Sequence, residues 1–216
     1  MKIKWYGHAS FLIETKGKKI VTDPYVPNAF GGSITYGPIP DVVDIALVSH
    51  DHDDHAGVKY LKGNPMVIKE GEKSVEGIKI KGISSYHDSS RGRDRGPNTI
   101  FVIESEGLRV CHLGDLGHVL TEDQIKEIGD VDILFIPVGG TYTIDARDAD
   151  EVVSQLKPRI VIPMHYKTPK CNFPISGVDS FVMNKKNVKR LAKSEVEISK
   201  ENLPDRQEIW VLEYAM

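Results

Sequence analysis

The 216-residue chain sets 28 Lys and Arg against 31 Asp and Glu, a formal charge of −3, with 40% hydrophobic and 27% charged residues. That is the balance of an ordinary globular protein with one sizeable core, and it argues against a general nucleic-acid surface. No apolar run approaches the roughly 20 residues of a membrane helix, and two cysteines, Cys111 and Cys171, are too few for a disulfide framework.

The start, Met1-Lys2-Ile3-Lys4-Trp5, lacks the apolar stretch of a signal peptide, so a cytoplasmic protein without membrane insertion is expected. No repeat, low-complexity tract or linker divides the chain, and 1–216 reads as a single domain. Residues 2–22 alternate as strands do, with Ile3 and Trp5, then Phe11 and Ile13, then Ile20 and Val21, which predicts a three-stranded antiparallel meander closed by Asp23-Pro24. The 18 residues from Pro24 to Asp41 hold four prolines and three glycines, and so long a loop reads as a flap beside a site or as surface cover. Val42 to Val48 is an apolar run that predicts a buried strand.

That strand delivers Ser49-His50-Asp51-His52-Asp53-Asp54-His55 at its C-terminal end. Three imidazoles and three carboxylates within six residues are costly to gather unless a cation holds them, and a solvated acidic loop is the weaker alternative. His50 and His52, two apart on extended chain, can face one point, while Asp54 and His55 sit where the chain turns and can face a second. One motif could therefore feed two metals.

His-x-His-x-Asp-His is the signature of the metallo-beta-lactamase-fold superfamily, and His50, His52, Asp54 and His55 match it without departure. On these residues the chain resembles that superfamily. Gly7-His8-Ala9-Ser10, Gly114-Asp115-Leu116-Gly117 and Pro163-Met164-His165-Tyr166 extend the likeness to its small single-domain branch, which includes the ascorbate-6-phosphate lactonase-like hydrolases. The resemblance implies an α/β fold, a four-layer αββα sandwich with the metals at one edge of its two sheets. His8 reads by itself as a turn residue hydrogen-bonded to backbone, whereas the resemblance implies that it lines the site and contacts substrate.

Residues 66–86 give further short strands ending in Tyr86-His87-Asp88. His87 follows a strand as His50 does, and the superfamily pattern expects one histidine there. Ser89 to Gly96 reads as flexible and, with Asp88 and Asp94 set against three arginines, positive by one charge. Arg91, Arg93 and Arg95 suit a carboxylate or phosphate, so the expected partner is a small-molecule substrate, anionic if these arginines bind it, the alternative being that the loop is simply solvated. Thr99 to Glu104 and Leu108 to Leu113 form a hairpin that runs into Asp115, where the family places the aspartate bridging two metals. Cys111 reads as a buried small hydrophobe, and His112 and His118 as pointing away from the site or orienting a ligand.

Thr121 and Gln124 form a capping box, Val131 to Val138 is a buried strand, and Asp145 caps a helix to Leu156. Arg159 to Met164 is a strand followed by His165, the same logic again. Phe181 to Leu191 reads as a helix, and Glu195 to Ser199 and Glu208 to Tyr214 as closing strands.

The assembled expectation puts His50, His52 and His87 on one divalent ion and Asp54, His55 and His165 on the other, with Asp115 between. Two cations about 3.5–4 Å apart lower the pKa of a shared water toward neutrality. Zinc suits such mixed ligation, and manganese or iron are compatible. A branch with Glu in place of the second motif histidine is associated with di-iron oxygen chemistry, so His52 speaks for hydrolysis. Asp54, Tyr142, Tyr166 and Lys167 are the candidate catalytic groups. The function expected is a metal-dependent hydrolase of a small ester, lactone or phosphodiester. The alternatives are a nuclease, against which stand the net acidity and the lack of an inserted domain or long arm, and a metal-stabilised binding module without turnover.

Overall fold

The alternation at the N-terminus folds as a meander: β1 (Lys2–Gly7), β2 (Ser10–Thr15) and β3 (Lys18–Thr22) pair antiparallel, with Ile3 opposite Ile13 and Ile13 opposite Ile20. The computed structural model describes all 216 residues. β3 then pairs in parallel with β4 (Ile45–Leu47), β4 with β5 (Met66–Ile68), and β13 (Glu195–Glu197) joins the far side of β1, which makes a six-stranded sheet.

The second sheet has eight strands. β6 (Glu72–Val75), β7 (Ile78–Tyr86), β8 (Pro97–Ser105) and β9 (Leu108–His112) run antiparallel in sequence, and then β10 (Ile133–Pro137) and β11 (Ile160–Met164) pair in parallel with what precedes them. β14 (Glu208–Val211) and β12 (Val188–Arg190) complete the edge. The parallel steps need crossovers, supplied by α2 (Glu122–Ile128) and α3 (Ala146–Leu156). Thr121 and Gln124 make the capping box read from the sequence, and the Asp145 carboxylate accepts from the amides of Arg147 and Asp148.

Alternation decides which face each strand buries. Ile3, Trp5, Phe11, Ile13, Ile20, Ile45 and Leu47 point at the second sheet, where the Phe11 and Phe135 rings stack at 4.0 Å between centroids. The opposite face of the six-stranded sheet, with Tyr6, Leu12, Val21 and Ala46, is covered by Tyr25, Ile34, Tyr36 and Ile39 of the long loop and by Cys171 and Ile175. The fold is thus the expected αββα sandwich, but on this side the outer layer is mostly loop, with one short turn, α1 (Ala29–Gly32). The loop is both things the sequence allowed, cover over a second core and a rim beside the site.

Three elements depart from expectation. The Phe181 to Leu191 helix is only α4 (Asp179–Val182), because Asn184 turns left-handed at φ 66° and Val188 instead pairs with Ile209 of β14. Regular pairing in the Val42 to Val48 run is confined to β4, since Val42 is 63% exposed and touches Lys62 by a single bridge. The closing strands end early, at Glu197 and Val211. No helix is long and apolar enough to cross a membrane.

Candidate metal centre

β7, β9 and β11 are alternate strands of the eight-stranded sheet, and their pairing makes them run the same way. Their C-terminal ends therefore share one edge. His87 follows β7, Asp115 follows β9 and His165 follows β11, while β4 brings His50 to His55 to the same edge from the other sheet. The side chains converge: ligand atoms of His50, His52 and His87 lie within 4.8 Å of one another, as do those of His8, Asp54, His55 and His165, and those of His50, His55 and Asp115.

Asp115 stands in the middle. Its Oδ2 is 3.1 Å from His87 Nε2, 3.3 Å from His165 Nε2 and 3.9 Å from His50 Nε2, and its Oδ1 is 3.2 Å from His55 Nε2. Yet Asp115 Oδ1, His50 Nε2, His55 Nε2 and Asp54 Oδ1 are buried with no hydrogen-bond partner. These atoms approach one another without the angles of hydrogen bonds; they aim at shared points between them. Ligands held at 2.0–2.1 Å by a tetrahedral ion sit about 3.3 Å from each other, which is the spacing found here. A buried polar atom left unpaired costs about 1–3 kcal/mol, so four in one place are accounted for by a cation.

The charges agree. Burial, aided by neighbouring rings, lowers His50 to about 3 and His8 to about 4, which leaves neutral imidazoles at pH 7. Burial opposes ionisation of Asp54 and Asp115 too, but the surrounding histidines outweigh it and hold both well below the usual carboxylate range. Burial likewise disfavours a charged His55, yet Asp115, Asp54 and Asp23 raise it well above the usual range. This is the sign of a cluster with more negative charge than its side chains balance.

Supporting residues hold the ligands in place. Asp23 accepts from the Ser49 amide through Oδ1 (2.7 Å) and meets Ser49 Oγ (2.8 Å), His112 Nε2 (2.7 Å) and His55 Nδ1 (3.0 Å) through Oδ2. His112 thus acts on the site through Asp23. Asn98 Oδ1 accepts from the Asp115 amide (2.9 Å), and its Nδ2 donates to Leu113 O and Ser85 Oγ. Gly114 must be glycine: at φ 56° it passes so close that a Cβ would lie 2.4 Å from Asn98 Oδ1. His8 Nε2 lies 3.0 Å from Asp54 Oδ2, and the His8 carbonyl accepts from the His165 amide (3.2 Å), tying the first turn to the last ligand. The sequence reading missed Asp23, which resembles a turn before proline, and Asn98, whose only signal is an amide in an apolar strand.

His52, Asp54, His87, Asp115 and His165 line a cavity of about 510 Å3 with Phe30, Tyr142, Phe173, Asp94, Arg95 and Gly96. Of the four candidate catalytic groups, Asp54 and Tyr142 are there. Tyr166 packs on Trp5 at 5.2 Å, and with Lys167 it lines a separate hollow, because the left-handed turn at His165 (φ 49°) sends the chain away from the cluster. Neither Tyr166 nor Lys167 lines the cavity beside the cluster. Of the three arginines only Arg95 reaches the cavity; Arg93 Nε turns back to Ser90 O (3.1 Å), and neither Arg91 nor Arg93 lines the cavity. His118 accepts from the Tyr86 amide (3.3 Å) and lies outside the ligand set.

The loop carrying Arg95 is tied rather than flexible. The Asp88 carboxylate accepts from the amides of Ser90, Gly92, Asp94 and Arg95 at 2.7–3.0 Å. Burial works against its charge, but those four amides hold its pKa at about 2. Its hold on the loop is complete above the ordinary 3.8 and is lost only as pH falls through about 2. Asp88→Ala should speed exchange of those four amides at neutral pH by on the order of tenfold, read by hydrogen exchange, while metal content stays constant.

An αββα sandwich with a histidine and aspartate cluster at one sheet edge defines a class, and residues 2–165 match the beta-lactamase superfamily domain. The chain belongs to the metallo-beta-lactamase superfamily and is a metal-dependent hydrolase. A UPF0173 metal-dependent hydrolase from Caldivirga maquilingensis is 35% identical, the match covering 77% of this chain and 82% of that one. Another from Pelotomaculum thermopropionicum is 32% identical over 78% of this chain and 85% of that one. A crystal structure from Thermotoga maritima, assigned to the Zn-dependent hydrolases of the superfamily, superposes with a TM-score of 0.80 at 42% identity, covering 98% of this chain and 97% of that one.

Proposed function

We propose that the chain hydrolyses a small ester, lactone or phosphodiester with the help of two divalent cations, zinc foremost. His50, His52 and His87 would hold one, Asp54, His55 and His165 the other, and Asp115 both. The observation that carries this reading is the placement of Asp115, whose two oxygens face rings from both groups at 3.1–3.9 Å. Ligation rich in imidazole suits zinc better than magnesium or calcium.

Such cations, when bound, lower the pKa of water toward neutrality and stabilise negative charge developing on the substrate. The protein's own groups do the remaining work. His8 holds Asp54 by Oδ2, which fixes the direction of Oδ1. Tyr142 stands on the cavity wall, where its hydroxyl can give a proton to a leaving group. Phe30 and Phe173 wall the cavity with apolar surface and limit the access of bulk water.

Purified protein loaded with zinc should contain two equivalents by elemental analysis and hydrolyse at least one of phenyl acetate, a γ-lactone or bis(4-nitrophenyl) phosphate. Chelation should abolish that activity and zinc restore it. Full metal content with silence on every substrate would turn the reading into a metal-stabilised binding module.

A further inference from the structure

We infer that the cavity selects a small substrate with an aromatic or similarly flat apolar body and an anionic group remote from the scissile bond. Phe30, Tyr142 and Phe173 clamp the body and Arg95 binds the anion. The hydrolase reading enters only in saying which bond is cut.

The three rings make one continuous wall. Phe30 and Phe173 meet edge to face at 5.4 Å, Tyr142 and Phe173 at 5.6 Å, and Phe173 faces His8 at 5.9 Å, so the wall runs into the ligand cluster. Phe30 is 49% exposed, and its backbone is left-handed at φ 52°, where a bulky residue is a genuine outlier. An exposed ring and a strained backbone are both unfavourable, and they coincide at the mouth of the cavity. A flat apolar guest would bury that ring, which gives the strain a use. A volume of about 510 Å3 fits a small molecule rather than a polymer.

Arg95 supplies the second half. Its guanidinium lies 5.5 Å from the centre of the Tyr142 ring and pairs with no carboxylate, although the cavity is lined by several. The neighbouring Asp94 is engaged with Ser90 Oγ at 2.6 Å, and the loop itself is pinned through Asp88, so Arg95 is presented on a fixed backbone. Three lining carboxylates, Asp54, Asp94 and Asp115, against one guanidinium leave the wall two charges negative; two divalent cations would reverse that to two positive. An anionic guest then gains from the field of the whole cavity, and Arg95 decides which end of it faces outward. For an ester of this kind, the oxygen of water joins the acyl carbon, the acyl–oxygen bond breaks, and the departing alkoxide takes the proton.

The test reads binding and needs no turnover. Phenol, 4-hydroxybenzoate and phenylphosphonate are titrated into the zinc-loaded full chain and followed by ligand-observed NMR. Wild type should hold at least one of the two anions about tenfold more tightly than phenol, and whichever is held more tightly identifies carboxylate or phosphate as the group recognised. Arg95→Ala should remove that preference, Arg95→Lys should restore part of it, and Phe30→Ser should weaken all three ligands about fivefold. An anion preference unchanged in Arg95→Ala would mean that the anion sits on the cations, and would overturn the proposal. So would affinities untouched by Phe30→Ser, or no binding at millimolar concentration. A silent hydrolysis panel leaves these results standing, and loss of the clamp leaves hydrolysis standing.

Discussion

Asp115→Ala should lose one equivalent of metal and lower kcat/KM by at least on the order of a thousandfold. No other carboxylate in the cluster faces rings of both groups: Oδ2 faces His87, His50 and His165, and Oδ1 faces His55. Alanine removes two ligand atoms and one full negative charge from a site whose carboxylates hold His55 above its ordinary range. His55, His87 and His165 would then stand close together with less counter-charge, so the second cation meets a poorer set of ligands and more repulsion. Asp115→Asn is the sharper variant. It keeps the shape and the amide contact to Asn98, but its carboxamide offers one good oxygen where the carboxylate offers two. Elemental analysis of both variants, alongside thermal melts with and without zinc, measures the effect. Two equivalents of metal retained in Asp115→Ala would remove Asp115 from the bridge.

Much of this centre was legible because ligands at strand ends leave local traces. His50, His87, Asp115 and His165 each follow a strand pattern, and the shared direction of β7, β9 and β11 turns those separate traces into one edge. What the sequence hid are contacts between distant segments. Asp23 and His112 are 89 positions apart, and His8 and Asp54 are 46 apart, so no local pattern ties either pair together. Adjacency misled in the other direction. Tyr166 and Lys167 follow a residue of the cluster directly, but one left-handed residue at His165 is enough to send them to another hollow. The same holds for the arginine loop, where a charge count treats Arg91, Arg93 and Arg95 alike, although the Asp88 knot leaves only Arg95 on the cavity wall. Tertiary pairing also overrode local preference at Val188, which joins β14 instead of extending a helix.

Asp23→Ala should lower stability by about 3–5 kcal/mol, a fall of about 10 °C in Tm, and weaken metal binding about 10- to 100-fold without removing any ligand. The carboxylate is fully buried and serves two sheets at once: it takes the Ser49 amide and hydroxyl beside the histidine motif, and His112 at the end of β9. Burial favours the neutral acid, but His55 and His112 outweigh it and keep Asp23 ionised far below the usual range. Its stabilisation is therefore complete above 3.8 and persists under mild acid, lost only as pH falls through that low value. Without it the Ser49 amide and His112 Nε2 lose their partners inside the protein, and the His55 ring loses the contact at Nδ1 that turns Nε2 toward Asp115. Asp23→Asn separates the two effects, since its oxygen can still accept from Ser49 while its amide hydrogens face the imidazoles. That variant should recover part of the lost Tm and little of the metal affinity. Melting of the chelated proteins gives the first quantity and zinc titration gives the second. An Asp23→Ala protein that binds zinc as wild type does would show that His55 is aimed by its own turn, not by the buried carboxylate behind it.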